Sequence, residues 1–159
     1  MPNIFDPEFD QQRDGGEGFA RERAFVGRQA GADKLGASIW VLEPGDAAYP
    51  YHFHYAEEEM IVVLEGTPSL RGPDGWRELA VGEIVSFRVG PEGAHQIVNR
   101  GEEPVRFLSI STVGEMDIVV YPDSDKISAA YHRGKPDEVR KIFRQSDERD
   151  YWDGEKPPA

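Results

Sequence analysis

His52 and His54 stand one residue apart in the run His52-Phe53-His54, and Glu59 follows a short acidic stretch. Side chains of an extended strand alternate between faces, so both imidazoles project from one face and can reach a single point in space. A turn after Tyr55 can return a carboxylate to that point at the start of the next strand, Met60-Ile61-Val62-Val63-Leu64. Two imidazoles and a carboxylate suit a borderline divalent cation. The chain has four histidines. Of the other two, His95 follows Pro91 and Gly93 and heads the alternation Gln96-Ile97-Val98, which makes it the candidate for a third imidazole. His132 sits in a turn-rich stretch and reads as a surface residue. Glu57 and Glu58 compete with Glu59 for the carboxylate role. If the strand begins at Glu59, then Glu59, Ile61 and Val63 share a face and Glu58 points away.

The pattern Gly45, His52-x-His54, Glu59, Gly66 resembles the first motif of the cupin superfamily, and Gly82, Pro91-x-Gly93-x-His95, Asn99 resembles the second. The resemblance spans residues 36–112 and is to small, single-domain, RmlC-like members. It implies an all-β double-stranded β-helix, or jelly-roll barrel, in which His52, His54, Glu59 and His95 bind one divalent metal ion, iron, manganese, nickel or zinc. The spacing departs from the family pattern chiefly between Gly82 and Pro91, which is longer, and between Gly93 and His95, which is shorter. These departures leave the four ligands in place and fall on the loop from Arg88 to Gly93.

The elements that must position these residues are short. Segments 24–28, 37–42, 60–64, 69–71, 76–79, 84–89, 96–99 and 105–112 carry β-branched and aromatic residues. They are bounded by turn signals such as Glu43-Pro44-Gly45-Asp46 and Gly72-Pro73-Asp74-Gly75. Many short strands with regular turns and no long amphipathic helix predict an all-β sandwich or barrel by spacing alone. Segment 116–121 reads as one more strand. Residues 136–144 fit a helix, with acids at their start and bases at their end, and equally a strand through Val139, Ile142 and Phe143. The domain reading is an N-terminal arm over 1–22, a barrel over 23–121 and a C-terminal extension over 122–159. The arm either packs across a sheet or a second subunit, or frays. Tyr151 and Trp152 suggest that the C-terminal tail docks on the body or on a partner.

At 159 residues the chain is long enough for one domain with a real core. Acidic residues outnumber basic ones 30 to 18, for a net charge of -12. Such a surface repels a phosphate backbone, so nucleic acid is not an expected partner. The absence of cysteine excludes disulfides and thiolate ligands. The N-terminus has no signal-peptide pattern and no apolar run approaches membrane-spanning length, so a cytoplasmic location is expected.

Around the site, Gln96 or Asn99 could orient His95, and Asn99 could equally hold the following turn. Tyr51, Phe53 and Tyr55 fall on the face opposite the histidines and read as packing residues. Trp40 and Tyr49 could line a ligand cavity, and Arg88 and Arg106 could hold an anionic substrate or lie on the surface. Four protein ligands leave two sites open on an octahedral ion, enough for a bidentate substrate or for substrate plus dioxygen. The expected function is a metal-dependent enzyme acting on a small organic molecule, dioxygenase chemistry being slightly favoured over isomerase or lyase chemistry. The alternative is a non-catalytic small-molecule-binding barrel with a structural metal. A metal-free sugar epimerase of the same barrel class would need a His/Asp acid–base pair instead. The resemblance and the N-terminal arm together lead to the expectation of a homodimer.

Overall fold

Glycine and proline turns cut the described residues into thirteen short strands. The computed structural model describes residues 1–158, so Ala159, the end of the C-terminal extension, lies outside the described residues. The strands are β1 (Gln11–Asp14), β2 (Arg21–Ala24), β3 (Leu35–Leu42), β4 (Phe53–His54), β5 (Glu59–Glu65), β6 (Ser69–Gly72) and β7 (Gly75–Glu78). They continue with β8 (Ile84–Phe87), β9 (Gln96–Val98), β10 (Val105–Thr112), β11 (Met116–Tyr121), β12 (Lys126–Tyr131) and β13 (Val139–Arg144). One helical turn, α1 (Val26–Gln29), separates β2 from β3. No described helix is long and apolar enough to cross a membrane.

The strands form an antiparallel jelly roll of three sheets, ordered β1-β2-β3-β10-β5-β8, β13-β12-β11-β4 and β7-β6-β9. The main core lies between the largest and the smallest of them. Trp40, Leu42, Ile61, Val63, Phe87 and Phe107 come from the six-stranded sheet and meet Leu70 and Ile97 from the three-stranded one. Alternation explains the inward set on β5, since Ile61 and Val63 are buried while Val62 and Leu64 are only partly so. On β3 the run Ser38-Ile39-Trp40 is buried continuously. Both faces of β3 are covered: Trp40 enters the main core, and Ile39 packs with Ala24, Val26, Ile4 and Phe9 on the other side. The stretch read as an arm therefore packs across the sheet and adds β1 and β2 to its edge.

Two local readings are corrected or settled. Segment 24–28, expected as a strand, leaves the sheet after Ala24 and turns into α1. Gly27 permits this, because a Cβ there would stand 2.8 Å from the backbone nitrogen of Ala37, so the helical turn can lie directly on β3. Within segment 136–144, Val139–Arg144 forms strand β13, paired with β12 from Tyr131↔Val139 to Lys126↔Arg144, after a turn at 136–137. At the end of β5, Gly66 adopts φ 75°, and a Cβ would meet the carbonyl oxygen of Pro104 at 2.8 Å, so this turn requires glycine.

Candidate metal centre

His52 and His54 reach the site from a strand shorter than its sequence suggests. Only Phe53–His54 forms β4, while His52 makes an isolated bridge to His95. That bridge is a reciprocal backbone pair: the His52 amide donates to the His95 carbonyl at 3.1 Å and the His95 amide to that of His52 at 2.8 Å. Two imidazoles far apart in sequence are thus set side by side by main-chain bonds. Glu59 opens β5, pairing with Ser111 on β10 and Phe87 on β8, with its carboxylate on the inward face that Ile61 and Val63 continue.

The four side chains converge. Oε2 of Glu59 lies 3.3 Å from Nε2 of His95, 3.4 Å from Nε2 of His54 and 4.0 Å from Nε2 of His52. Each imidazole is held from behind through Nδ1. His52 Nδ1 lies 3.0 Å from the Pro50 carbonyl, His95 Nδ1 2.9 Å from the Gly93 carbonyl, and His54 Nδ1 2.6 Å from a carboxylate oxygen of Asp117. All three partners are acceptors, so each Nδ1 carries the proton and each Nε2 presents a lone pair. The Phe87 ring stacks on His95 with centroids 3.7 Å apart, and the Tyr49 ring meets His52 and His95 edge-on at 4.8 and 5.4 Å.

Three lone pairs and a carboxylate directed at one point repel one another unless a cation stands between them. Nε2 of His54 is buried and has no hydrogen-bond partner, as a nitrogen reserved for a metal bond would be. His52, His54 and Glu59 place ligand atoms within 4.8 Å of one another, a group that could hold a metal ion. The donor set, imidazole nitrogen with one carboxylate, fits a first-row divalent ion. The electrostatics agree. Burial, reinforced by the charges of His95 and His54, pushes His52 down to about 3, so it stays neutral. Glu59 sits at about 2: burial works against its ionisation, but close contact with His95 and the neighbouring imidazoles of His54 and His52 outweighs it.

Behind His54 lies a buried charge network that sequence reasoning missed. Asp117 on β11 is 3% exposed and accepts from both His54 and the Ala56 amide. Arg133 pairs with Glu57 and comes within 4.0 Å of Asp117. His54, Glu57 and Asp117 are close enough to form a second potential ion site. The guanidinium on Glu57 already supplies the positive charge there, so this group is read as support for His54. Burial would lower His54, yet the Asp117 hydrogen bond and the charges of Glu59 and Asp117 raise it above its ordinary value. Asp117 is held below the usual range against its burial, chiefly by the His54 hydrogen bond. No pattern in the sequence marks it, because Asp117 is brought to His54 by the register of β11 against β4, Val119↔His54.

Other expectations fall out individually. Glu58 is exposed and its amide bonds the Thr112 hydroxyl. Asn99 holds a turn, donating to the carbonyls of Leu42 and Glu103, and Gln96 donates to the Tyr49 carbonyl, so neither orients the His95 ring. Trp40 and Tyr49 do point inward, edge-to-face at 5.6 Å. Arg88 is exposed, and Arg106 faces away from Phe107 toward Glu65 and the N-terminal stretch. His132 pairs with Asp137 at 2.7 Å, outside the cluster.

Residues 38–111 match the family described as Cupin domain. Among solved structures, the chain is similar to a protein from Acidithiobacillus ferrooxidans provisionally named a sugar phosphate isomerase, at 29% identity and TM-score 0.75, covering 83% of this chain and 81% of that one. A sugar phosphate isomerase of the cupin superfamily from Silicibacter pomeroyi superposes with TM-score 0.78 at 23% identity, over 92% and 94% of the two chains. A polyketide cyclase from Streptomyces resistomycificus gives TM-score 0.57 at 24% identity, over 70% and 78%. The last two likenesses concern the fold. No curated protein matches the chain.

Proposed function

We propose that this chain, whose residues 38–111 match the Cupin domain family, is a mononuclear divalent-metal enzyme acting on a small organic molecule. His52, His54, Glu59 and His95 are the proposed ligands. The observation that carries the proposal is the convergence of three Nε2 lone pairs on the Glu59 carboxylate, with every Nδ1 proton turned outward. A bound divalent ion supplies Lewis acidity to a carbonyl or hydroxyl oxygen. The protein's own groups then orient and insulate. Phe87 and Tyr49 wall the imidazoles, and burial, with the charge of Glu59, raises the Tyr49 phenol and keeps it protonated.

Of the two chemistries open from the sequence, isomerisation now has the better support, because the 29% identical Acidithiobacillus protein bears that provisional name. A His/Asp pair of the kind a metal-free epimerase needs is present in His54 and Asp117. Its free nitrogen, however, faces Glu59 at 3.4 Å among the other imidazoles, an arrangement better suited to a cation than to a substrate proton.

Elemental analysis joined to an anaerobic assay tests the reading. The expected result is about one equivalent of a single first-row metal, lost in His54→Ala, and aldose–ketose turnover that is unchanged without dioxygen. Turnover requiring dioxygen would restore the oxygenase reading. Mixed, substoichiometric metal unchanged by His52→Ala or His95→Ala would remove the enzymatic one. The homodimer stays a proposal, supported by an exposed apolar row on the face of the four-stranded sheet away from Asp117. Met116, Tyr131 and Val139 align across β11, β12 and β13 there, with Ile118 and Phe143 nearby. A single-chain mass by sedimentation at micromolar concentration would contradict it.

A further inference from the structure

Strand β2 delivers two guanidinium groups to the inner side of the six-stranded sheet beside Trp40, Arg21 at 5.7 Å from the indole centroid and Arg23 closer to it. The register Arg23↔Trp40 puts both side chains on one face, and the guanidinium carbon lies 4.2 Å from the indole centroid and 4.4 Å from that of Phe25. Each of these two stacked side chains carries a buried donor with nothing to receive it. Nε of Arg23 and Nε1 of Trp40 are both buried and have no hydrogen-bond partner. Arg23 makes no ion pair among the described residues, whereas of the neighbouring cations Arg133 is committed to Glu57 and Asp117 and Arg21 donates to the Phe19 carbonyl. Burial, with the nearby charges of Arg133 and Arg21, lowers Arg23 to about 10, so it remains a cation at neutral pH. A desolvated positive charge with unused N–H groups is costly unless an anion completes it.

The position of this charge is informative. From Arg23 a continuous set of ring contacts runs inward: Trp40 meets Tyr49 at 5.6 Å, and Tyr49 meets His52 at 4.8 Å and His95 at 5.4 Å. The charge of Glu59 also reaches Arg23. We propose that Arg23 and the Trp40 indole N–H form an oxyanion subsite for the substrate, which therefore carries a carboxylate or phosphate at the end remote from the metal-binding end. This rests on the metal-enzyme reading for the word substrate, but not for the subsite itself. A guanidinium fork and an indole N–H are all donors, the complement of an oxygen-rich anion. The anion would discharge Arg23 electrostatically, and the donors on the aromatic wall would fix which end of the molecule faces the histidines. The arginines that sequence suggested for this task, Arg88 and Arg106, lie on the outside; the edge strand β2 supplies the inward one.

Calorimetric titration of the full chain with inorganic phosphate and with acetate, in metal-loaded and chelator-treated protein, tests this directly. Saturable binding is expected in both forms, at least ten-fold weaker in Arg23→Gln and several-fold weaker in Trp40→Phe. The latter keeps a stacking surface and removes only the N–H. Metal content should match wild type in both variants, because neither residue is a proposed ligand. Tighter phosphate than acetate assigns a phosphoryl group, and the reverse a carboxylate. Wild-type phosphate and acetate affinity in a folded, metal-replete Arg23→Gln protein overturns the subsite and leaves the metal reading standing. Failure of the wild-type protein to take up metal, with anion binding still sensitive to Arg23, overturns the metal reading and leaves the subsite. Should Arg23→Gln not fold, by circular dichroism, unchanged anion binding in Trp40→Phe and Arg23→Lys together overturns it.

Discussion

Asp117 holds Nδ1 of His54 at 2.6 Å from the opposite side of the imidazole to Glu59, whose oxygen lies 3.4 Å from Nε2. The carboxylate thereby fixes the tautomer and the ring plane, and it raises the basicity of the nitrogen that faces the cluster. Outer partners of this kind are typically worth about 10–100-fold in metal affinity. Asp117→Ala is therefore expected to weaken divalent-metal binding by about that factor while leaving the jelly roll folded. Competition with a chelating dye reads the change. Unaltered affinity would mean that His54 is oriented by packing alone.

Gly93 does the corresponding work for His95 by a different route. Its carbonyl accepts from His95 Nδ1, and a Cβ at this position would fall 1.7 Å from the Arg88 carbonyl oxygen. No side chain can be accommodated without displacing the loop, and that loop is also tied to β4 by the Gly90 amide bonded to the His54 carbonyl at 2.7 Å. Gly93→Ala should cost about 1–3 kcal/mol through overpacking and lower metal affinity together with the melting temperature. A melt and a metal titration on the same sample check both. Lowered stability with full affinity would separate the loop from the site.

What was legible in the chain and what was not divides along a physical line. The nearness of His52, His54, Glu59 and His95 could be expected from alternation and Pro/Gly turns, which are local properties, together with the resemblance to the two cupin motifs, and the turns between strands 60–112 were legible because they too are local. Asp117 and Arg133 were not, because each reaches the site only through the pairing of β11 with β4 and β12, a long-range register with no local mark. Arg23 was hidden in a stretch without periodicity, whose strand exists only because β3 offers it an edge. Segment 136–144 carried helix and strand signals together, and the open edge of β12 decided for the strand. Segment 24–28 shows the reverse: β-branched and aromatic residues pointed to a strand, and the close approach of Gly27 to Ala37 made a helical turn instead.

The ion pair between Glu57 and Arg133 yields a stability prediction. Glu57 is 2% exposed, and burial raises its carboxyl although the neighbouring guanidinium pulls the other way. Removing the guanidinium leaves an uncompensated carboxylate in the interior. Breaking a buried pair costs about 3–5 kcal/mol. The Arg133 side chain is 33% exposed, and screening there reduces the expected loss for Arg133→Ala to about 2–3 kcal/mol. Denaturant unfolding measures it, and Glu57→Gln/Arg133→Ala should recover part of the loss. A double variant no more stable than the single would show that the cost comes from something other than a stranded charge.

The same electrostatics set how the metal-free protein responds to acid. His52 has its folded value lowered from 6.5 to about 3, so between those limits the unfolded chain takes up a proton that the folded chain refuses. Stability must fall as the pH drops through that window. Glu59, lowered from 4.5 to about 2, adds to the loss: its stabilising contribution is complete above 4.5 and disappears as the pH falls toward 2. His54 acts in the opposite sense. Its folded value is raised, so its contribution is complete below 6.5 and is lost as the pH rises through the folded value. The net charge of -12 is shared by wild type and single variants, and relief of that repulsion in acid is common to both. The informative quantity is therefore the difference between chelator-treated wild type and His52→Gln. Gln cannot take up a proton in either state, so the variant should lose less stability between pH 6.5 and 4, and the gap should move steadily in its favour as the solution is acidified. Urea midpoints at several pH values give that gap. A gap independent of pH across this window would mean that His52 is not held neutral by its surroundings, and that the imidazole cluster is more solvated than its geometry implies.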